Sequence, residues 1–154
     1  DNGTVLGYDT ILDFETGNGT LNSETFNTAG TASVVANSSG TDGADSTLTI
    51  GAATIKSHAI TDGVITFDDA DTFAGALDIN TNSEIAAVLD YIQNNDIGDA
   101  GATVTFDVGL DAFLFTQGDD AGTDNLDVLV RLEGAQVDSL ITTNGSGDFD
   151  LYIV

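Results

Sequence analysis

The sequence predicts a mainly β domain: an antiparallel β-sandwich or β-roll-like fold with one or two short helices. Two observations carry that expectation. Apolar and polar residues alternate with period two in several separate segments. Clusters of Gly, Asp, Asn and Thr stand between those segments, where chain reversals need them. A stretch near the middle breaks the pattern with a period of 3.6. Hydrophobic residues make up 41% of the 154 residues and run along the whole chain, which argues against disorder. The length suits one acidic domain, 1–154, divisible by pattern into a β-rich part, 1–67, and a helix-plus-hairpin part, 68–154.

Asp9-Thr-Ile-Leu-Asp-Phe14 reads as the first strand, and a polar Gly/Asn/Thr stretch follows it. Thr47-Leu-Thr-Ile50 and Val64-Ile-Thr-Phe67 alternate, with a turn signal at Gly40-Thr-Asp-Gly-Ala-Asp45 before the first of them. Asp68 to Leu77 has the look of a short helix with Asp68, Asp69 and Asp71 at its positive end. Ser83 to Ile92 is a stronger helix, capped by Asn82 or Ser83. Its Ile85, Val88, Leu89 and Ile92 form one apolar face that covers a sheet.

Strands return after Gly98. Val104, Phe106 and Val108 share a face, as do Phe113 and Phe115, with Gly109-Leu-Asp111 as the hairpin turn. Gly118 to Asn125 is a polar loop. It leads to a strand in which Leu126, Val128, Val130 and Leu132 face one way. Asp148 to Val154 closes the chain. The alternation predicts sheets with one buried face. The chain opens without Met and without a signal-peptide pattern, so it reads as a mature product or a fragment.

Charge restricts the partners. Two basic residues, Lys56 and Arg131, stand against 26 acidic ones, for a net charge of -24. Nucleic acid is excluded, since nothing neutralises phosphate. No apolar run reaches the roughly 20 residues of a membrane span, so membrane insertion is not expected. A chain of this charge calls for a cation. The acids are 22 Asp and 4 Glu. A merely solubilising surface would use Glu freely, whereas Asp suits tight turns and compact oxygen cages for Ca²⁺. Calcium is therefore the expected cofactor. The absence of Cys removes disulfides and zinc–thiolate sites.

The strongest candidate metal site is the loop holding Asp119, Asp120, Asp124 and Asp127, with Asn125 and backbone carbonyls at hand. Its spacing is not that of an EF-hand. Asp9 and Asp13, four apart on one side of a strand, form a second candidate pair that needs ligands from elsewhere. Asp42 and Asp45 are a weaker pair. Catalysis has little to stand on: His58 is the single histidine, Cys is absent, and no G-x-S-x-G elbow occurs. Pairs of Asp suited to glycoside hydrolysis arise by number alone in so acidic a chain. A buried Lys56 would permit an intramolecular crosslink to Asn or Asp; a surface lysine is the plainer reading.

Three stretches together give a resemblance. Gly7-Tyr-Asp-Thr-Ile-Leu-Asp-Phe14 is similar to the D-T-I-x-D-F stretch that follows the nonapeptide repeats of RTX proteins. Val64 to Leu140 resembles a segment near the C-termini of RTX and S-layer proteins. There a helix, a hairpin with aromatic strands, an Asp-rich loop and an L-V-x-L-x-G strand follow in order, here ending in Leu129-Val-Arg-Leu-Glu-Gly134. Asp150-Leu-Tyr-Ile-Val154 resembles the acid-plus-aliphatic ending of type I secretion signals. The G-G-x-G-x-D repeat itself is missing, so no β-roll ligands are carried over.

The resemblance implies a secreted or cell-surface protein that stays loose in calcium-poor cytoplasm and folds on meeting Ca²⁺ outside. The expected function is a non-enzymatic structural module of an S-layer, adhesin or matrix. Its partners would be Ca²⁺ and either further copies of itself, by self-association, or a cell-surface glycan. Two alternatives are a calcium-stabilised carbohydrate-binding sandwich using Tyr8, Tyr91 or Tyr152, and the tail of a secreted enzyme.

Overall fold

Alternation draws about half of the described residues into strands, and the computed structural model shows how they are stacked. It describes residues 9–11, 22–27, 33–41, 47–95, 97–118, 127–142 and 148–153. In chain order the elements are β1 (Asp9–Ile11), β2 (Asn22–Asn27), β3 (Ser33–Val34), β4 (Asn37–Thr41), β5 (Thr49–Ile50), β6 (Ala53–Thr54), β7 (Ser57–Thr61) and β8 (Val64–Asp68). Then come α1 (Asn82–Asn95), β9 (Ala102–Val108), β10 (Asp111–Thr116), β11 (Val128–Leu132), β12 (Val137–Thr142) and β13 (Asp148–Ile153). The protein is mainly β, with one helix among the described residues.

The main sheet runs β1-β11-β10-β9-β8-β7-β4, with β3 also paired to β9. A second sheet runs β12-β13-β2, and β5 and β6 form a small hairpin. Most pairings are antiparallel, as the alternation predicts. Three are parallel: β1 on β11, and β3 and β8 on β9.

The expectation of one buried face holds poorly at the centre. In β9 six of seven residues are buried, and in β10 five of six. One face carries Val104, Phe106, Phe113 and Phe115, which pack with Ile85, Val88, Leu89 and Ile92 of α1. The opposite face carries Ala112, Leu114 and Leu132, which pack with Val137 and Leu140 of β12 and Leu151 of β13. The main sheet is thus a middle layer between a helix and a second sheet, a sandwich with a helical cover. Phe106 and Phe113 are register partners whose rings stack 5.6 Å apart.

The same layering corrects the reading of β11. Leu132 and Val130 face the second core, but Leu129 faces the first and Val128 is exposed. Leu126 lies outside the described residues. A strand covered on both sides has no reason to keep strict alternation. The closing segment also finds a place, since β13 is the middle strand of the second sheet and Leu151 is fully buried.

Turn chemistry fixes the register. Asp62 and Gly63, at φ +48° and +78°, form a two-residue turn of the I′ kind between β7 and β8. This turn also meets three neighbours. Gly63 N–H donates to Ala36 O, Thr105 N–H to Gly63 O and Leu140 N–H to Asp62 O, at 2.7–3.1 Å. A side chain at position 63 would strike Leu140, so only glycine fits.

Two helix expectations change. Residues 69–81 form no helix. The Asp68 carboxylate accepts N–H groups of Ala70, Ala74 and Gly75, and so binds the donors that a helix beginning there would turn to other use. For α1 the cap is Thr81, one residue before the expected Asn82 or Ser83. Glu84 Oε2 accepts Thr81 N–H at 2.8 Å, one half of a capping box, while Glu84 N–H donates to the backbone oxygen of Thr81 at 3.0 Å. Glu84 accepts from Asn80 N–H and Gly51 N–H as well, both at 2.7 Å, which ties the helix start to the β5–β6 turn.

Candidate functional site

Asp127 is the candidate metal ligand whose surroundings are described. It stands at the entry to β11, half-buried. Its Oδ1 accepts Gly118 N–H at 2.9 Å and its Oδ2 accepts Gln93 Nε2–H at 2.7 Å. Gly118 follows β10 and Gln93 lies in the last turns of α1. The carboxylate therefore pins both ends of the 119–126 loop to the sheet and to the helix. Each oxygen keeps a further lone pair for a cation. Asp119, Asp120 and Asp124 lie outside the described residues, as do Asp13, Asp42 and Asp45.

β1 runs parallel to β11, with Asp9 opposite Val130. The second candidate pair thus begins on the strand next to the one that the Asp-rich loop enters. Asp9 and Asp127 are offset by three residues, roughly 10 Å along the strands. No three His, Asp or Glu side chains converge on one point among the described residues.

Sequence reasoning passed over two groups. Gln93, buried on α1, is the partner of Asp127. Its place one position after the apolar Ile92 was the available signal. Asp107, half-buried on β9, lines a hollow of about 250 Å³ with Asp78, Asn80, Gly109 and Gln136. Burial pushes its carboxyl above the usual range, opposed only in part by the Val137 N–H it accepts at 3.1 Å. Its alternation with Phe106 and Val108 had placed it on the opposite face, which read as solvent.

The single histidine, His58, takes a structural place. It is buried, its Nδ1 is 3.0 Å from Tyr91 Oη, and burial holds its pKa below the ordinary value. Its ring lies against Gly40 of the neighbouring strand, where a methyl group would collide with it. Tyr91 is fully buried and meets Phe67 edge-on, so this tyrosine presents no face to a sugar. Tyr152 is half-buried, and Tyr8 lies outside the described residues.

The two cations of the chain are taken up locally. Arg131 pairs with Asp111 at 2.6 Å and Glu133 at 3.7 Å. Lys56 lies 3.8 Å from Asp71 at the surface, not in a crosslinking pocket. Burial raises the Asp111 carboxyl, but Gly134 N–H and the Arg131 guanidinium outweigh it and hold it below the usual range. Among the described residues no helix is long and apolar enough to cross a membrane. Comparison with family models, curated proteins and solved structures found no match to this chain.

Proposed function

We propose that this chain is a non-enzymatic, calcium-responsive structural module of the cell surface or extracellular medium, built to self-associate in a layer, adhesin or matrix. One observation carries the reading. The chain holds 26 acidic groups, of which 22 are Asp, and both of its basic side chains already face carboxylates. Whatever offsets the remaining charge comes from solution, and short Asp side chains favour a small hard cation.

Ca²⁺ has its best place at the loop rooted on Asp127, with Asp119, Asp120 and Asp124 as ligands and Asp9 and Asp13 as a secondary pair. An ion there binds the folded chain and not the unfolded one. At a hundredfold excess over Kd it adds about 2.7 kcal/mol, or a Tm rise of roughly 5–10 °C for a domain of this size.

The test is a far-UV circular dichroism melt in EGTA and then in millimolar Ca²⁺, with Mg²⁺ and NaCl at matched ionic strength. The reading requires a rise specific to Ca²⁺ that the double variant Asp124→Asn, Asp127→Asn loses. Equal rises in all salts would sink it and leave the charge as a screened surface.

A further inference from the structure

We propose that β4 is a dimerisation edge at which a second copy of this chain adds its own β4 antiparallel, continuing the main sheet across a twofold axis at Ser39. This names one contact of the self-association proposed above, a closed dimer, and it does not rest on calcium.

β4 is the last strand of the main sheet, and no described strand pairs with its outer side. Asn37, Ser38, Ser39 and Thr41 are exposed there. An unpaired row of N–H and C=O groups is a template for another strand unless charge, proline or a cover blunts it. β12, an outer strand of the second sheet, carries the exposed carboxylate of Asp138. β4 reads Asn-Ser-Ser-Gly-Thr and carries none. In a protein of charge -24, copies repel wherever acidic edges meet. β4 brings no carboxylate of its own, and the Asp71 side chain beside it faces Lys56 at 3.8 Å.

The strand is also fully paired on its inner side. All five of its residues pair with β7, and Thr41 Oγ1–H donates to Asp71 O at 3.1 Å. Gly40 is explained from within, by the His58 ring seated on it, so its lack of a side chain does not mark a frayed end. A self-complementary pairing sets Ser39 against Ser39 of the partner subunit, and Ser38 against Gly40 of the partner subunit. Isologous contacts of this kind close as a dimer and do not propagate.

The chain has no cysteine, so Ser39→Cys supplies a single thiol. Under mild oxidation Ser39→Cys is expected to give a disulfide-linked dimer far faster than Thr142→Cys, also an exposed position, on β12. Sedimentation in EDTA and 0.5 M NaCl measures the untreated dimer. Ser39→Asp puts two carboxylates about 5 Å apart across the axis and should weaken it roughly tenfold or more. Circular dichroism confirms that each variant folds. A protein that stays monomeric at about 100 μM, or a dimer indifferent to Ser39→Asp, overturns the proposal. Association that requires Ca²⁺ and ignores Ser39→Asp would uphold the calcium reading and overturn this one. A β4 dimer without a calcium response does the reverse.

Discussion

The Nδ1 atom of His58 lies 3.0 Å from the phenol oxygen of Tyr91, joining β7 to α1 inside the first core. Burial lowers the His58 pKa, so the folded chain binds a proton less readily than the unfolded one. Stability from this group is full above about pH 6.5, the unfolded value, and falls as pH drops below it towards the folded pKa. The ordinary carboxylate range lies lower, near pH 4, and Asp107, raised by burial, acts with the opposite sign, so the comparison of melts with those of His58→Gln over pH 7.5 to 5.5 isolates the histidine. Tm is expected to fall across that interval in the native protein and to change less in His58→Gln. An equal slope in both would remove His58 as the cause.

The same contact predicts the cost of losing one atom. Tyr91→Phe deletes a buried hydroxyl and leaves His58 Nδ1 without that bond. The expected loss is about 1–2 kcal/mol, read by urea denaturation at pH 7.5. A neutral result would mean that water or another group takes the hydroxyl's place.

Glu84 closes three backbone donors at once, on Gly51, Asn80 and Thr81. Those bonds hold its carboxyl below the usual range against the opposing effect of burial. The contribution is present above the unfolded pKa and lost as pH falls through the folded one. Glu84→Ala removes the carboxylate cap of Asn80 and Thr81 and the tie to the β5–β6 turn, and is expected to cost about 1–2 kcal/mol at pH 7. Denaturant unfolding measures it. Glu84→Gln should recover part of the loss, since its amide oxygen still accepts.

How much was legible can be followed along the chain. α1 was plain because Ile85, Val88, Leu89 and Ile92 repeat at helical spacing, and all four are buried. The β9–β10 hairpin was plain because two aromatic strands flank Gly109-Leu110. The stacking of layers was not. Leu129 and Leu132 serve opposite cores, and one strand's pattern does not say how many faces are covered. The loop after β8 was misread because Asp68 looks the same in sequence whether it caps a helix or gathers loop amides. At the candidate site, Asp127 was legible from composition, but its partner Gln93 lies 34 positions away and only the packed structure brings it there.

Asp107 offers a prediction of opposite sign. Burial raises its pKa, so its ionised form weakens the fold at neutral pH, and this penalty disappears as the pH falls below the unfolded value. Asp107→Asn keeps an acceptor for Val137 N–H and removes the charge. Tm at pH 7 is expected to rise by about 2–4 °C. A fall would mean that the carboxylate has a favourable partner in the hollow it shares with Asp78 and Gln136.

Gln93 separates support of Asp127 from metal binding by it. Gln93→Leu removes the donor to Asp127 Oδ2 while keeping bulk inside the core. In EGTA the variant is expected to lose about 1–2 kcal/mol, because a half-buried carboxylate oxygen is left short of a donor. If Asp127 also holds Ca²⁺, the ion binds the freed oxygen and relieves more in the variant than in the native chain. The Ca²⁺-induced rise in Tm is then larger for Gln93→Leu. Equal rises in the two proteins would detach Asp127 from the ion and leave it as the clamp that fixes the loop's two ends.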